Sequence, residues 1–420
     1  MPTKYLFRQV RVVCPASVFH LKTTDILVEN GIILQIETDI KPADAHVISS
    51  PNLHISGGWL DTSANFFEPG FEQKETLETG TKAAIQGGFT AVALHPANLH
   101  ITQTKAQISY YKTHKSAVNL LPMAALTQNL AGENLTEMMD LHQAGAVAFS
   151  NAQKPMHNAG TMLRTLQYAQ HFDGLIYSQP NDPQLSAMAM VNESLTTNAL
   201  GLRGSPNIAE SIAIARDIEL LRYTGGRLHF DKISTIQGVE LIQKAKNEGL
   251  NVTASATAHH LMLTDKSLQN FDTNYKVQPP LRTKTDQNAL LNAIKNGVID
   301  CVCSDHTPHE KDAKFCEFEL ADYGMIGLET VFSVLNSLNV LDISTIVNLL
   351  CAQPRHILKQ VQPVFEVGAA ANFTLFDPKL NYTFSEQHIG SKSKNTPFLG
   401  HEFTGKVIGI YNNATLAMCL

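Results

Sequence analysis

The sequence predicts an α/β protein: a (β/α)8, or TIM, barrel carrying a small β-sandwich domain assembled from both chain ends. Three observations lead there. From about residue 57 to 310, short β-rich runs alternate with helical stretches, the pattern of a parallel sheet with crossover helices. Eight such runs can be counted, the number that closes a barrel. The flanks, residues 4–54 and 363–420, show strand-like alternation instead, with little helical period.

The strand candidates are WLDTS (59–63), FTAVALH (89–95), NLLPMAAL (119–126), AVAFS (146–150), GLIYSQ (174–179), RLHFDKIS (227–234), NVTASATA (251–258) and VIDCVCSD (298–305). Between them lie KETLETGTKAAIQGG, MLRTLQYAQHF, AESIAIARDIELLRYTGG and IQGVELIQKAKNEG, helical stretches that often close on Gly, which accepts the left-handed backbone of a helix stop. In the flanks, QVRVVC, DILVENGIILQIE, ANFTLFD and FTGKVIGIYNNATLAM read as strands, with NG and NN turn signals. The expected domains are therefore 1–55 plus 363–420 for the composite sandwich and 56–362 for the barrel. SEQHIGSKSKNTPFLGHEF (385–403) is the longest linker-like stretch. Any functional site is expected at the C-terminal strand ends.

Of 420 residues, 44% are hydrophobic and 17% charged, with net charge −6, which argues against a nucleic-acid or anionic-membrane partner. The start MPTKYLFRQVRVVC lacks the apolar run and small-residue cleavage site of a secretory leader. No window approaches the roughly 18 apolar residues of a membrane span. The six cysteines are dispersed without a CxxC pair, as expected of reduced thiols in a cytoplasmic protein.

Two clusters could carry chemistry. CSDHTPHEK ends the last strand and places Asp305, His306 and His309 at the barrel top; TAHHLMLTD puts His259 and His260 beyond the seventh strand. Each cluster alone is as consistent with a loop cap as with catalysis. On the barrel topology, the two together suggest a metal-dependent hydrolase.

A resemblance then becomes specific. EPG, KET, TGT and GGFT (68–90), GGRLH…ST (225–235), LNVTA…HHL.LTD (250–265), PPLRT (279–283), SDHTPH (304–309), YGMIGLET (323–330) and SKSKNTPF (391–398) follow one another at consistent spacing. Together they resemble dihydroorotase of the longer bacterial type, in the amidohydrolase superfamily. The resemblance implies a barrel of the metal-dependent hydrolase type with a companion sandwich. For active members it implies zinc-dependent, reversible cyclisation of carbamoyl-aspartate to dihydroorotate.

Position by position, most of that chemistry is missing. Active members carry D-x-H-x-H at the end of strand one, two imidazoles on one side of the chain gripping a metal. Here the motif reads Asp61-Thr62-Ser63-Ala64-Asn65. The family's Asp-Asp-Gly after strand four reads Asn151-Ala152-Gln153, its next strand-end His falls on Ser178, and the His before Val-Ser-Thr falls on Lys232. Of these metal positions only Asp305, the family's base, is kept. The substrate-carboxylate Arg falls on Phe67, the Asn of Met-Pro-Asn-Thr on Ala97, and the Asn before Pro-Pro-Leu-Arg on Gln278.

Hydroxyl, amide and ammonium groups are poor zinc partners. No metal cofactor is expected, and without one the ring carbonyl has no Lewis acid. Lys232 is expected to pair with Asp305 near the former metal position, and His259, His260, His306 and His309 to be structural, with their ring nitrogens satisfied. The expected role is a catalytically silent homologue of pyrimidine biosynthesis, acting as a structural or regulatory subunit. The resemblance suggests aspartate carbamoyltransferase as partner, and homo-oligomerisation is expected. Two alternatives stay open: a metal-independent enzyme using a Lys232 of depressed pKa with Asp305, and an active dihydroorotase with a rebuilt metal site.

Overall fold

A computed structural model describes residues 4–41 and 44–419; the parts of the expected sandwich at 1–3, 42–43 and 420 lie outside the described residues. The eight barrel strands are Trp59–Ala64, Phe89–Leu94, Asn119–Pro122 continued by Ala124–Ala125, Phe149–Ser150, Leu175–Ser178, Arg227–Phe230, Val252–Thr257 and Cys301–Cys303. Neighbours pair in parallel and in sequence order. The third strand breaks at Met123, its first half pairing with strand two and its second with strand four. The ring closes where Asn65 N donates to His306 O at 2.8 Å, joining strand one to the end of strand eight. WLDTSA and FTAVAL are buried at every position, since a barrel strand has side chains on one face and helices on the other.

The helices follow the expected stretches. Ala159–Gln170, Ile208–Thr224 and Ile236–Asn247 cover strands from outside, the last capped by Thr235. The first helix starts later than KETLETG suggests: it runs Leu77–Gln86, capped by Thr76 with a reciprocal Thr79 bond. Lys74 and Glu75 thus lie outside the helix, and Glu75 is left free to reach the barrel mouth.

Strands from both termini form one eight-stranded sheet, the carboxyl-terminal Phe373–Thr383 pairing with His54–Gly57, which pairs with Lys4–Val12. The sheet therefore takes in His54–Gly57, slightly beyond the boundary expected at residue 55. It is a continuous ladder, yet it curls over itself: Tyr411 meets Phe7 at 5.8 Å and Tyr5 at 5.6 Å although their strands are not neighbours. Trp59 couples this unit to the barrel, its ring packing at a tilt against Phe332 at 5.1 Å and Phe376 at 5.4 Å.

The stretch expected to be a linker is a packed strap. Asn395 Nδ2 donates to Thr307 O and Gly324 O, and Ser391 Oγ and Lys392 N donate to the buried Glu75 carboxylate. Its polar residues read as solvent-loving in sequence, but their hydrogen bonds are to the barrel loops. No helix among the described residues is long and apolar enough to cross a membrane.

Candidate functional site at the barrel mouth

Lys232 and Asp305 lie just past strands six and eight, and both have left-handed backbone, with φ of 61° and 49°. Phe67 shares this conformation, with φ of 58°. Each such non-glycine residue costs roughly 1–2 kcal/mol and persists only where its surroundings hold it. Ser255 Oγ holds the Lys232 backbone N–H at 3.0 Å. The Lys232 ammonium then lies 2.7 Å from Asp305 Oδ1 and 4.0 Å from Asp231 Oδ2, with only 1% of its side chain exposed.

Burial opposes the Lys232 charge, but two carboxylates outweigh it and hold the ammonium above its ordinary range. Burial pushes Asp305 up, and Lys232 pulls it partly back. One cation facing two carboxylates keeps its proton, so we assign the charged form to Lys232. The depressed pKa that a nucleophilic or basic Lys232 would need is not found.

Behind this pair lies a second network. Ser63 Oγ donates to Asp231 Oδ2 at 3.0 Å and accepts from His95 Nε2 at 2.8 Å, while Ser255 Oγ donates to Asp231 Oδ1 at 2.8 Å. His95 Nδ1 is buried without a partner, so this is no Ser-His-Asp triad: one ring nitrogen faces both other members. Burial raises Asp231, but His95 and Lys232 overcome it and hold the carboxyl at about 2. Asp61, fully buried, accepts from Ser304 N and Oγ at 2.7 Å each, and burial still lifts it to about 7.

The other expected positions are engaged separately. Asn65 Nδ2 donates to Thr307 Oγ1 at 3.2 Å, and its Oδ1 is unpartnered. Asn151 Oδ1 accepts from Thr127 N and Oγ1, and Ser178 Oγ donates to Asp217 on the Ile208–Thr224 helix. Phe67 packs edge-on to Phe71 with the Lys74 ammonium 5.3 Å from its ring centre, a cation beside an aromatic ring where the family pattern has a cationic side chain. Ala97 packs beside Ala125, Leu130 and Ala152. Gln278 lines a cavity of about 170 Å³ that reaches Lys232, Arg282 and Tyr323, and its carbonyl accepts from Gln179 at 3.4 Å.

Three of the four histidines are satisfied. His260 bonds Thr257 Oγ1 and Pro280 O, and His309 donates from Nε2 to Tyr323 O and faces Lys74 with Nδ1. His306 accepts from Gly327 N at Nδ1, which leaves its Nε2–H to donate to Glu75 at 3.3 Å. His259 departs from expectation: its Nε2 is buried without a partner, and burial and the neighbouring His260 drive its pKa well down. Sequence reasoning missed His95, Asp231 and Glu75. The signals were a histidine ending strand two in ALHPAN, an acid directly before Lys232, and an acid just ahead of a helix cap.

The carboxylates set opposing pH dependences. Asp231 ionises more readily folded than unfolded, so its stabilisation is present above 3.8 and lost as pH falls through about 2. Asp61 holds its proton more tightly when folded, so its contribution declines as pH rises from 3.8 to about 7 and is flat beyond. In Asp61→Asn the decline over that interval should vanish, which denaturation midpoints across pH will measure.

The donors do not fit the family's zinc site. Ser63 and Asn65 offer a hydroxyl and an amide, Ser178 and Asn151 are bonded elsewhere, and Lys232 sets a positive charge beside Asp305. Among the described residues no group of three or more His, Cys, Asp or Glu side chains is placed to hold a metal ion.

The fold and the order of motifs agree with known proteins. A family model described as Dihydro-orotase-like matches residues 54–238. The dihydroorotase of Caldanaerobacter subterraneus subsp. tengcongensis is 39% identical over 390 residues, covering 91% of this chain and 90% of that protein. The dihydroorotase of Carboxydothermus hydrogenoformans is 38% identical over 393 residues, covering 92% and 91%. The L-hydantoinase (dihydropyrimidinase) from Arthrobacter aurescens shares the fold with a TM-score of 0.86 at 22% identity, over 100% of this chain and 96% of that one. With near-full-length identity of this order on a shared barrel frame, the chain belongs to the dihydroorotase family.

Proposed function

We propose that this dihydroorotase-family chain does not carry out the family's ring chemistry and acts as a structural or regulatory subunit in pyrimidine biosynthesis. One observation carries the reading: the buried Lys232–Asp305 pair, 2.7 Å apart, puts an ammonium against the last family metal carboxylate. A cation there repels a metal and satisfies the carboxylate that would otherwise bind it. The bonding of Ser63, Asn151 and Ser178 to protein partners supports the same reading, since these side chains are already engaged within the protein.

The partner we propose is aspartate carbamoyltransferase, on a self-associating scaffold of this chain. Mixed with that enzyme from the same organism, the chain is expected to co-elute as an assembly larger than either component. Separate elution, measured by light scattering, would refute that partnership. Introduced into a strain lacking dihydroorotase, the chain is expected to give no growth without added pyrimidine, and growth would refute the silent reading.

A further inference from the structure

At the end of the barrel opposite Lys232 lies a cavity of about 370 Å³, within the range that holds small ligands. The starts of strands one and three contribute Leu60 and Leu121, and the segment after the last barrel helix contributes Val361 and Val364. Val361 is 90% exposed and Val364 is exposed, so the cavity opens to solvent along an apolar rim. The proposed function above does not depend on it.

Arg355, from the helix Gln353–Leu358, lines this cavity and is only 3% exposed. Its Nη1 donates to Cys351 O at 3.0 Å and lies 3.4 Å from Cys351 Sγ. A guanidinium has five N–H donors. No acidic residue among the described residues pairs with this one, and burial lowers its pKa. A buried cation without a counter-charge is costly, and a carboxylate received side-on by two guanidinium N–H groups offsets that cost. Asn372 lies on the same wall. The apolar walls suit a carbon chain and disfavour a fully hydrated inorganic ion.

We propose that this cavity is a binding site for a small organic carboxylate with an apolar stem, its charged head held by Arg355. The probe is octanoate, titrated calorimetrically into the full chain. One equivalent is expected to bind saturably and raise the melting temperature. 1-Octanol, which has the stem without the charge, and inorganic phosphate, which has charge without the stem, are each expected to bind at least tenfold more weakly. Arg355→Met should weaken octanoate at least tenfold while melting no lower than the parent, because it removes an uncompensated buried cation. Leu121→Trp keeps Arg355, fills the cavity, and should lose octanoate as well; it decides the matter if Arg355→Met does not fold. The proposal is overturned by absence of saturable octanoate binding, by octanoate affinity unchanged in a folded variant, or by octanol or phosphate binding as tightly as octanoate.

Discussion

Lys232→Ala is expected to lower the unfolding free energy by roughly 3–5 kcal/mol, because it strands Asp305 as an uncompensated, almost fully buried carboxylate. The size follows from burial: both side chains are nearly inaccessible, at 1% and 3%, so solvent cannot take over the charge as it does for a surface pair. Asp231, at 4.0 Å from the ammonium, would lose that charge too. Lys232→Met combined with Asp305→Leu is expected to recover most of the loss, since well-packed apolar groups often replace a buried ion pair at little cost. Denaturant midpoints of the single and double variants measure both effects. A loss below about 1 kcal/mol for Lys232→Ala would show that the pair is solvated.

Glu75→Ala is expected to cost about 3 kcal/mol and to loosen the strap over the barrel mouth. Its carboxylate accepts from Lys392 N at 3.0 Å and from Ser391 Oγ and Thr79 Oγ1, and receives the His306 Nε2–H at 3.3 Å. Removing it leaves donors unpaired in three separate segments, the His306 ring and the Ser391 hydroxyl among them buried. Burial pushes Glu75 up, yet His306 and these donors outweigh it and hold the carboxyl below its usual range. Its contribution is therefore present above 4.5 and is lost as pH falls through the depressed value. Limited proteolysis should cut the variant within 389–396 while the parent resists, and Glu75→Gln, which keeps the acceptor geometry, should lose less.

The barrel was legible because its signals are periodic and local. FTAVAL and WLDTSA are buried throughout, as runs of that composition imply, and their spacing sets the order of strands. The curl of the terminal sheet was not legible, because the meeting of Tyr5 with Tyr411 depends on bulges and register between segments far apart in sequence. The strap over 385–403 was misread for a related reason: Ser391, Lys392 and Asn395 look like linker residues until Glu75, Thr307 and Gly324 are in place to bond them.

At the site, the substitutions at Ser63, Asn65 and Lys232 could be read directly, because a motif fixed where each side chain would fall. What replaced the lost interactions could not. His95 reaches Ser63 only because strands one and two are neighbours with their ends level, and Asp231 serves both Ser63 and Lys232 only because the chain turns sharply between residues 231 and 232. The orphaned nitrogens of His95 and His259 were beyond sequence reasoning as well, since satisfaction of a buried ring nitrogen is a matter of tenths of an ångström.

The central claim is that the family's metal chemistry has been replaced here by a buried ammonium–carboxylate pair. The most direct test is metal analysis of the purified chain, made alongside turnover assays with dihydroorotate and with carbamoyl-aspartate. The expected result is zinc far below one equivalent and no rate above the uncatalysed background in either direction, with or without added zinc. Stoichiometric zinc together with turnover would contradict the account.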